Sequence, residues 1–194
     1  MSATNPYDHV VLVDESDRQI GLADKRSAHE APGQLHRALS GFVFDSTGRL
    51  IVQRRAEAKA HFALQWSNSF CTHPADQESI SAAAERRVLE ELGFHASMVE
   101  VGVFTYRATD PESGLVEHEI DHVVLGWCEQ DPDPDPAEVA EVAKFTLDEL
   151  MTDMAREPQR FTPWFAPALA IVTDHFLTSR TAPGPNPARR SAPQ

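Results

Sequence analysis

The chain has 194 residues, of which 41% are hydrophobic and 24% charged, as in an ordinary folded globular protein. Lys and Arg number 17 and Asp and Glu 30, so the formal net charge of −13 argues against nucleic acid or an anionic membrane as the main partner. No apolar run approaches the ~20 residues of a membrane span, and the N-terminus lacks the basic and apolar regions of a signal peptide. We therefore expect a cytoplasmic protein.

The first part of the chain predicts strands around a loop that contains two histidines. Residues 9–14 are apolar and β-branched, which predicts a strand, and residues 35–45 and 49–54 flank a Ser-Thr-Gly turn, which predicts a hairpin. His29 and His36 lie in the segment before the hairpin, which we predict to be a loop. Two such histidines are more often surface residues than metal ligands, so both interpretations stay open.

Basic side chains are concentrated in the first third of this acidic chain. Lys25 precedes the histidine loop, and Arg54, Arg55 and Lys59 follow the hairpin. A pocket lined by such cations would suit a phosphate or a diphosphate. Arg54 and Arg55 are adjacent, so on a strand only one of them can face such a pocket.

Cys71 and His73 lie two residues apart in a segment that reads Asn-Ser-Phe-Cys-Thr-His-Pro. In an extended chain their side chains point the same way. A buried structural cysteine and a functional thiol beside a histidine explain this pattern equally well. The only other cysteine, Cys128, lies in an apolar strand and is predicted to be a core residue, so disulfides do not organise the fold.

Residues 79–92 are rich in helix formers and precede Gly93, which predicts a helix that ends at a glycine cap. Arg87 and Glu91 are four residues apart and are therefore neighbours on this helix. An ordinary surface ion pair would explain that spacing as well as a functional site would.

Two further strands are predicted at residues 99–109 and 115–129. In the second, Glu117, Glu119 and Asp121 alternate and therefore share one face. Three carboxylates on one face repel each other unless a cation or water neutralises them. The pattern fits a solvated polar face or a site for Mg²⁺ or Mn²⁺.

The last third of the chain predicts a loop, a strand and two helices. Alternating prolines at residues 131–136 exclude a helix or a central strand and predict an extended acidic loop. A strand is predicted at 138–146 and helices at 147–156 and 163–177, with Pro163 in the first turn of the last helix.

These elements predict one α+β domain over residues 9–178, with a mixed sheet covered by helices. Residues 1–8 are predicted to be a flexible segment. Residues 179–194 are rich in Pro, Ala and Arg and are predicted to be a disordered tail. We expect a monomer or a weak dimer.

Several motifs occur together in one order: Lys25-x3-His29-x6-His36, Arg55-x3-Lys59, Asn68-Ser-x-Cys71-x-His73-Pro74, Arg87-x3-Glu91-Leu-Gly93, Tyr106-Arg-Ala-Thr109, Glu117-x-Glu119 and Phe161-Thr-Pro163-Trp164. In this combination the chain resembles the type I isopentenyl-diphosphate isomerases from about His9 to about Phe176. That resemblance implies a Nudix-like α/β/α sandwich.

The resemblance also implies a reaction and the residues that perform it. Isopentenyl diphosphate and dimethylallyl diphosphate would be interconverted by protonation and deprotonation of the alkene, in isoprenoid biosynthesis. The catalytic residues implied are Cys71 and Glu119 on opposite sides of the pocket, with Tyr106 and Trp164.

The diphosphate would be held by Lys25, Arg55, Lys59 and Arg87. A Mn²⁺, Mg²⁺ or Zn²⁺ ion would be held by His29, His36, His73, Glu117 and Glu119. A Mg²⁺ ion carried by the diphosphate would meet Glu91. No role is predicted for His61, His95, His118, His122 or Asp121.

Residues 72–94, which include the predicted helix, form an incomplete Nudix box, whose general form is G-x5-E-x7-R-E-U-x-E-E-x-G-U. Thr72 stands in place of the first glycine, and Arg87 in place of the glutamate after the arginine. The lost carboxylate weakens the multi-metal site that pyrophosphate hydrolysis requires. The added guanidinium suits an intact diphosphate.

Three other functions stay open at this point. A Nudix hydrolase of a nucleoside or other diphosphate would share the fold and the need for Mg²⁺, although Thr72 and Arg87 argue against it. A non-catalytic metal-binding protein on a Nudix scaffold would need no acid–base pair. An enzyme with a cysteine nucleophile would form a covalent adduct, and no base or oxyanion pattern supports it.

Overall fold

The computed structural model describes residues 5–181, and residues 1–4 and 182–194 lie outside it. The strands of the described chain are β1 His9–Val13, β2 Gln19–Asp24, β3 His36–Asp45, β4 Leu50–Arg55, β5 Trp66–Ser67, β6 Phe70–Thr72, β7 Met98–Thr109, β8 Val116–Cys128 and β9 Val139–Phe145. The helices are α1 Lys25–His29, α2 Ile80–Leu92, α3 Leu147–Arg156 and α4 Phe165–Thr181, with short 3-10 turns at Pro6–Asp8 and Pro158–Arg160.

Strand β3 is the centre of one mixed sheet. It pairs in parallel with β8 and antiparallel with β1, β4 and β6. The sheet continues from β1 to β2, from β8 to β7 and from β4 to β9, each time antiparallel. The strands that carry the candidate site residues, β6 and β8, are therefore both direct neighbours of β3.

The sheet is covered by helices on both faces. Helix α2 packs on one face through Val88 and Leu92, and helices α3 and α4 pack on the other through Leu150 and Phe165. Because strand residues alternate between faces, β3 contributes to both cores. This arrangement confirms the predicted α/β/α sandwich with a mixed sheet. No helix in the described part of the chain is long and apolar enough to cross a membrane.

Capping residues fix several of the predicted boundaries. The Ser79 side chain accepts a hydrogen bond from Ala82 N at the start of α2, and Gly93 ends that helix with a φ of 75°. Thr146 and Glu149 form a reciprocal capping box at the start of α3. Such contacts satisfy backbone groups that a helix leaves unpaired at its ends, so the sequence marks these ends clearly.

Other predicted boundaries were wrong. The predicted loop is confined to residues 30–35, because His29 ends α1 and His36 begins β3. The last helix begins at Phe165 rather than at Pro163, and it reaches Thr181, three residues into the range assigned to the tail. The rest of the predicted tail lies outside the described residues. The predicted flexibility of residues 1–8 stays a prediction.

Gly41 on β3 gives a direct test of this packing. A Cβ atom at this position would lie 2.1 Å from Phe70 Cζ, so Gly41→Ala overpacks the core beside β6. We expect a loss of about 1–3 kcal/mol in the free energy of unfolding, measured by chemical denaturation. Gly21→Ala is the matched control, because its Cβ would meet only Leu12 at 4.0 Å. Equal stability of the two variants would contradict the close contact.

Candidate active site

Five side chains that the sequence analysis linked to a metal ion lie together. Their donor atoms are all within 4.8 Å of one another in the cluster His29, His36, His73, Glu117 and Glu119. The β3–β8 register places His36 opposite Glu119, and His73 directly follows β6. The pairing of β6 and β8 with β3 thus brings His36, His73 and the two glutamates together, and helix α1 adds His29.

The protonation of these histidines fits a metal ion. His29 Nδ1 lies 2.6 Å from a backbone carbonyl of its own helix, and His36 Nδ1 lies 2.7 Å from the carbonyl two residues before it. A carbonyl only accepts, so Nδ1 carries the hydrogen and Nε2 of the neutral ring offers a lone pair. His29 Nε2 lies 3.0 Å from Glu117 Oε2, and both atoms are buried without a hydrogen-bond partner among the described residues. Two lone pairs that face each other repel, and a cation bound between them would remove that repulsion.

The three carboxylates of β8 differ in the direction in which their pKa values are shifted. Burial alone would raise the pKa of Glu117, but the neighbouring imidazoles of His29 and His61 hold it well below its usual range. Burial and the neighbouring Glu117 raise the pKa of Glu119 to about 7. Burial and Glu119 also raise the pKa of Asp121 well above its usual value. Like charges this close resist joint ionisation, so a bound cation would favour the ionised forms.

Cys71 lies opposite Ser40 in the β3–β6 pairing. Its thiol donates to Asn68 Oδ1 over 3.2 Å, and Ser40 Oγ lies 3.7 Å from the sulfur. Ser40 in turn donates to Asp121 Oδ2 over 2.7 Å. Burial, with the nearby Asp121, raises the pKa of the Cys71 thiol to about 12. The sulfur therefore holds its proton at neutral pH in the environment that the described residues provide.

Two aromatic residues complete the surroundings of these groups. Tyr106 lies opposite Glu119 in the β7–β8 pairing and donates to Glu119 Oε2 over 2.6 Å. Trp164 is buried, and its Nε1 donates to Asn68 Oδ1 over 3.1 Å. The Tyr106 and Trp164 ring centroids are 6.0 Å apart. Asn68 Oδ1 thus accepts hydrogen bonds from both the Cys71 thiol and the Trp164 indole.

A cavity of about 460 Å³ joins these groups to the basic cluster. Of the predicted site residues, those that line it are Lys25, Arg55, Lys59, Cys71, His73, Arg87, Tyr106, Glu117, Glu119 and Trp164. Arg55 is buried, donates to two backbone carbonyls of the loop after β4, and lies 5.4 Å from the Trp164 ring centroid. Arg54 instead bonds Leu64 O on the outer side, which confirms that only one of the two arginines faces the pocket.

Two acidic residues already contact the cations of this cavity. Arg87 Nε lies 2.6 Å from Glu91 Oε1, and Lys59 Nζ lies 3.9 Å from the same oxygen. Glu138, which lines the cavity, contacts both cations from the loop before β9. Glu91 is 1% exposed and also accepts from Gln53, and it is not among the described residues that line the cavity. Its role as a Mg²⁺ ligand stays a prediction.

Several residues of this site carried no predicted role. Asp121 shares the face of Glu117 and Glu119, so the alternation of side chains along the strand already indicated that it lies beside them. His61 and Glu138 lie in loops, and their partners at the site are far away along the chain. No local sequence pattern could have indicated these contacts. His118, for which no role was predicted, lies near Gly33 O and is not a member of the metal cluster.

Comparison with known proteins gives matches over most of the chain. A family model described as NUDIX domain matches residues 34–165. A Nocardia farcinica protein named isopentenyl-diphosphate Delta-isomerase is 49% identical over 88% of this chain and 97% of its own length. Proteins of the same name from Streptomyces griseus and Pectobacterium atrosepticum are 49% and 39% identical over 81% and 88% of this chain, and over 80% and 94% of their own lengths.

Solved structures match at the level of the fold. A crystal structure of a Deinococcus radiodurans protein aligns with a TM-score of 0.62 at 19% identity, and covers 76% of this chain and 89% of its own. A MutT protein from Methanosarcina mazei aligns with a TM-score of 0.59 at 16% identity, and covers 75% and 96%. These alignments agree with the sandwich described above.

Proposed function

Because this chain belongs to the isopentenyl-diphosphate Delta-isomerase family and contains a NUDIX domain, we propose that it interconverts isopentenyl diphosphate and dimethylallyl diphosphate for isoprenoid biosynthesis. One observation carries this proposal. A single cavity is lined by a protonated thiol at Cys71, a carboxyl group at Glu119 that bonds Tyr106, and a cluster of four cations.

The cations account for recognition of the diphosphate. Lys25, Arg55, Lys59 and Arg87 line the cavity and can bind phosphate oxygens by charge-assisted hydrogen bonds. The net charge of −13 does not prevent this, because salt screens distant charges over about 8 Å and leaves the nearby cations dominant. The carboxylate of Glu138 would be exchanged for phosphate oxygens when the substrate binds.

The proton transfers are assigned to Cys71 and Glu119. One group adds a proton to the terminal methylene, and the other removes a proton from the allylic carbon, so an acid and a base are both required. An alkene is a poor proton acceptor, and the donor must therefore be held tightly and kept away from water. Asn68 and Ser40 hold the Cys71 thiol, and Tyr106 holds Glu119 and can pass a proton to it.

Trp164 would stabilise the positive charge that develops on the alkene. Its ring lines the cavity and is fixed by the hydrogen bond from Nε1 to Asn68. The face of an aromatic ring can stabilise a desolvated cation by about 2 kcal/mol. The diphosphate cations lie around the same cavity, so the charged head and the reacting alkene can both be held within it.

The cluster of three histidines and two glutamates would hold a divalent metal ion. Its imidazole and carboxylate donors suit Mn²⁺, Mg²⁺ or Zn²⁺, and a bound ion would neutralise Glu117 and Glu119 and fix their orientation. A second ion, Mg²⁺ brought by the diphosphate, would be met by Glu91. The chain's own residues supply the acid, the base and the cations in either case.

Hydrolysis of a nucleoside diphosphate compound is the second candidate, because the chain contains a NUDIX domain and shares its fold with a MutT protein. Incubation of the purified chain with isopentenyl diphosphate and Mg²⁺, followed by phosphorus NMR, separates the two. We expect dimethylallyl diphosphate without release of phosphate. No isomerisation, together with monophosphate release from a panel of nucleoside diphosphate compounds, would favour the hydrolase.

Removal of the Arg87 side chain tests the cation cluster. Arg87→Ala should raise KM for isopentenyl diphosphate by about 10–100-fold, because it removes a charged hydrogen-bond donor worth about 1.5–3 kcal/mol. The measurement is steady-state kinetics of isomerisation. Arg54→Ala is the control, since Arg54 faces away from the cavity and bonds Leu64 O. An unchanged KM in the Arg87 variant would remove this residue from the diphosphate site.

A further inference from the structure

His61 touches the metal cluster without being one of its five members. It lies in the loop between β4 and β5, and its Nε2 contacts Glu117 Oε1. The other oxygen, Glu117 Oε2, lies 3.0 Å from His29 Nε2. One carboxylate is therefore shared between a histidine of the cluster and a histidine outside it.

The two histidines present different groups to Glu117: His61 a hydrogen-bond donor and His29 a lone pair. A carboxylate oxygen accepts, so the hydrogen of the His61 contact lies on His61 Nε2. His29 has its hydrogen on Nδ1, in a bond of 2.6 Å to Lys25 O, and turns a lone pair towards Glu117. His29 is thus equipped to ligate a metal ion, whereas His61 is equipped to donate to a ligand.

The His61 ring is held in place from several sides. Arg55 Nη2 donates to His61 O over 3.0 Å and fixes the loop. The ring stacks on His29, with centroids 5.1 Å apart and an interplanar angle of 26°. The side chain is 12% exposed, and its Nδ1 is buried without a hydrogen-bond partner among the described residues. A ring fixed in this way can hold Glu117 in one orientation.

We propose that His61 is a positioning residue of the metal site, which holds Glu117 Oε1 through Nε2–H and so presents Oε2 to the metal ion. Partners of this kind orient a ligating carboxylate, and their loss commonly weakens metal binding or activity by about 10–100-fold. The proposal rests on the metal site of the proposed function and not on its substrate. It is therefore tested with the metal alone.

The test compares Mn²⁺ affinity of the chelator-stripped full chain by isothermal titration calorimetry and by EPR of free Mn²⁺. His61→Phe keeps a ring that can stack on His29 but lacks the donor, and we expect it to bind Mn²⁺ about 10–100-fold more weakly. His61→Gln keeps an N–H donor and should recover most of that loss. If a phenyl ring does not fit, His61→Ala gives the same comparison.

His95→Phe is the matched control, because His95 is an exposed histidine in the segment after α2. It should bind Mn²⁺ as the parent does. Melting curves of the metal-free variants check that each is folded. Parent-like Mn²⁺ affinity in His61→Phe would overturn the proposal, and so would a His61→Gln variant no better than His61→Phe. A parent chain that binds Mn²⁺ but does not isomerise would contradict the proposed function and leave this inference intact.

Discussion

Replacement of Cys71 by serine is expected to lower kcat for isomerisation by about 10²–10⁴-fold, the range that a positioned acid–base group supplies. The change keeps nearly the same volume and a hydrogen-bond donor towards Asn68, so the fold and the metal cluster should persist. A hydroxyl is a poorer acid–base group at this position than the thiol. The measurement is the rate of dimethylallyl diphosphate formation at saturating substrate, with the metal content determined in the same samples.

Cys128→Ser is the matched control for this experiment. Cys128 is the other cysteine of the chain, lies in the core against α2, and does not line the cavity. Its serine variant should turn over substrate at a rate close to that of the parent. If Cys71→Ser also kept normal turnover, Cys71 would not be one of the groups that transfer a proton.

Glu119→Gln should reduce turnover to a similar extent and should also weaken metal binding. The amide cannot exchange a proton as a carboxyl group does, so catalysis is expected to fall by about 10²–10⁴-fold. The same side chain faces the Nε2 atoms of His36 and His73 at 3.3 and 2.9 Å. Loss of its negative charge therefore removes an anionic donor from the cluster. Kinetics at saturating substrate and metal analysis measure the two effects separately.

Glu112→Gln controls for the loss of one negative charge in the same hairpin, because Glu112 is exposed in the turn between β7 and β8. Turnover and metal content should both stay at parental values in this variant. A Glu119→Gln variant with unchanged metal content and unchanged rate would show that the Glu-x-Glu element is not part of the site.

The sequence predicted the elements that have local signals. Helix α2 was predicted from its helix formers and Gly93, and α3 was predicted at its observed bounds; the structure adds the Ser79 cap of α2 and the Thr146–Glu149 capping box of α3. Strand β2 and helix α1 were missed. The five-residue α1 is held by contacts around it rather than by helix periodicity, and short elements of this kind leave too little pattern to detect.

The site residues likewise fall into those that have a local signal in the sequence and those that do not. The alternation of Glu117, Glu119 and Asp121 is a local property of a strand and predicted their shared face. The approach of His29, His36 and His73 to that face was implied only by the family resemblance, because their proximity depends on the register between β3, β6 and β8.

The contacts of His61 and Glu138 had no signal in the sequence. Glu138 meets Lys59 across 79 positions of the chain, and His61 reaches Glu117 from a loop after β4. Such contacts depend on how loops pack above the sheet, which neither periodicity nor propensity specifies. Side chains that support a site from loops are therefore visible only in the folded structure.

We expect this chain to isomerise its substrate by adding one proton and removing another. The decisive experiment is incubation with isopentenyl diphosphate and Mg²⁺ in D₂O, followed by proton and phosphorus NMR. We predict dimethylallyl diphosphate that carries deuterium, with no phosphate released. Dimethylallyl diphosphate without deuterium would contradict protonation by groups that exchange with solvent, and unchanged, unlabelled substrate would contradict the isomerase activity itself.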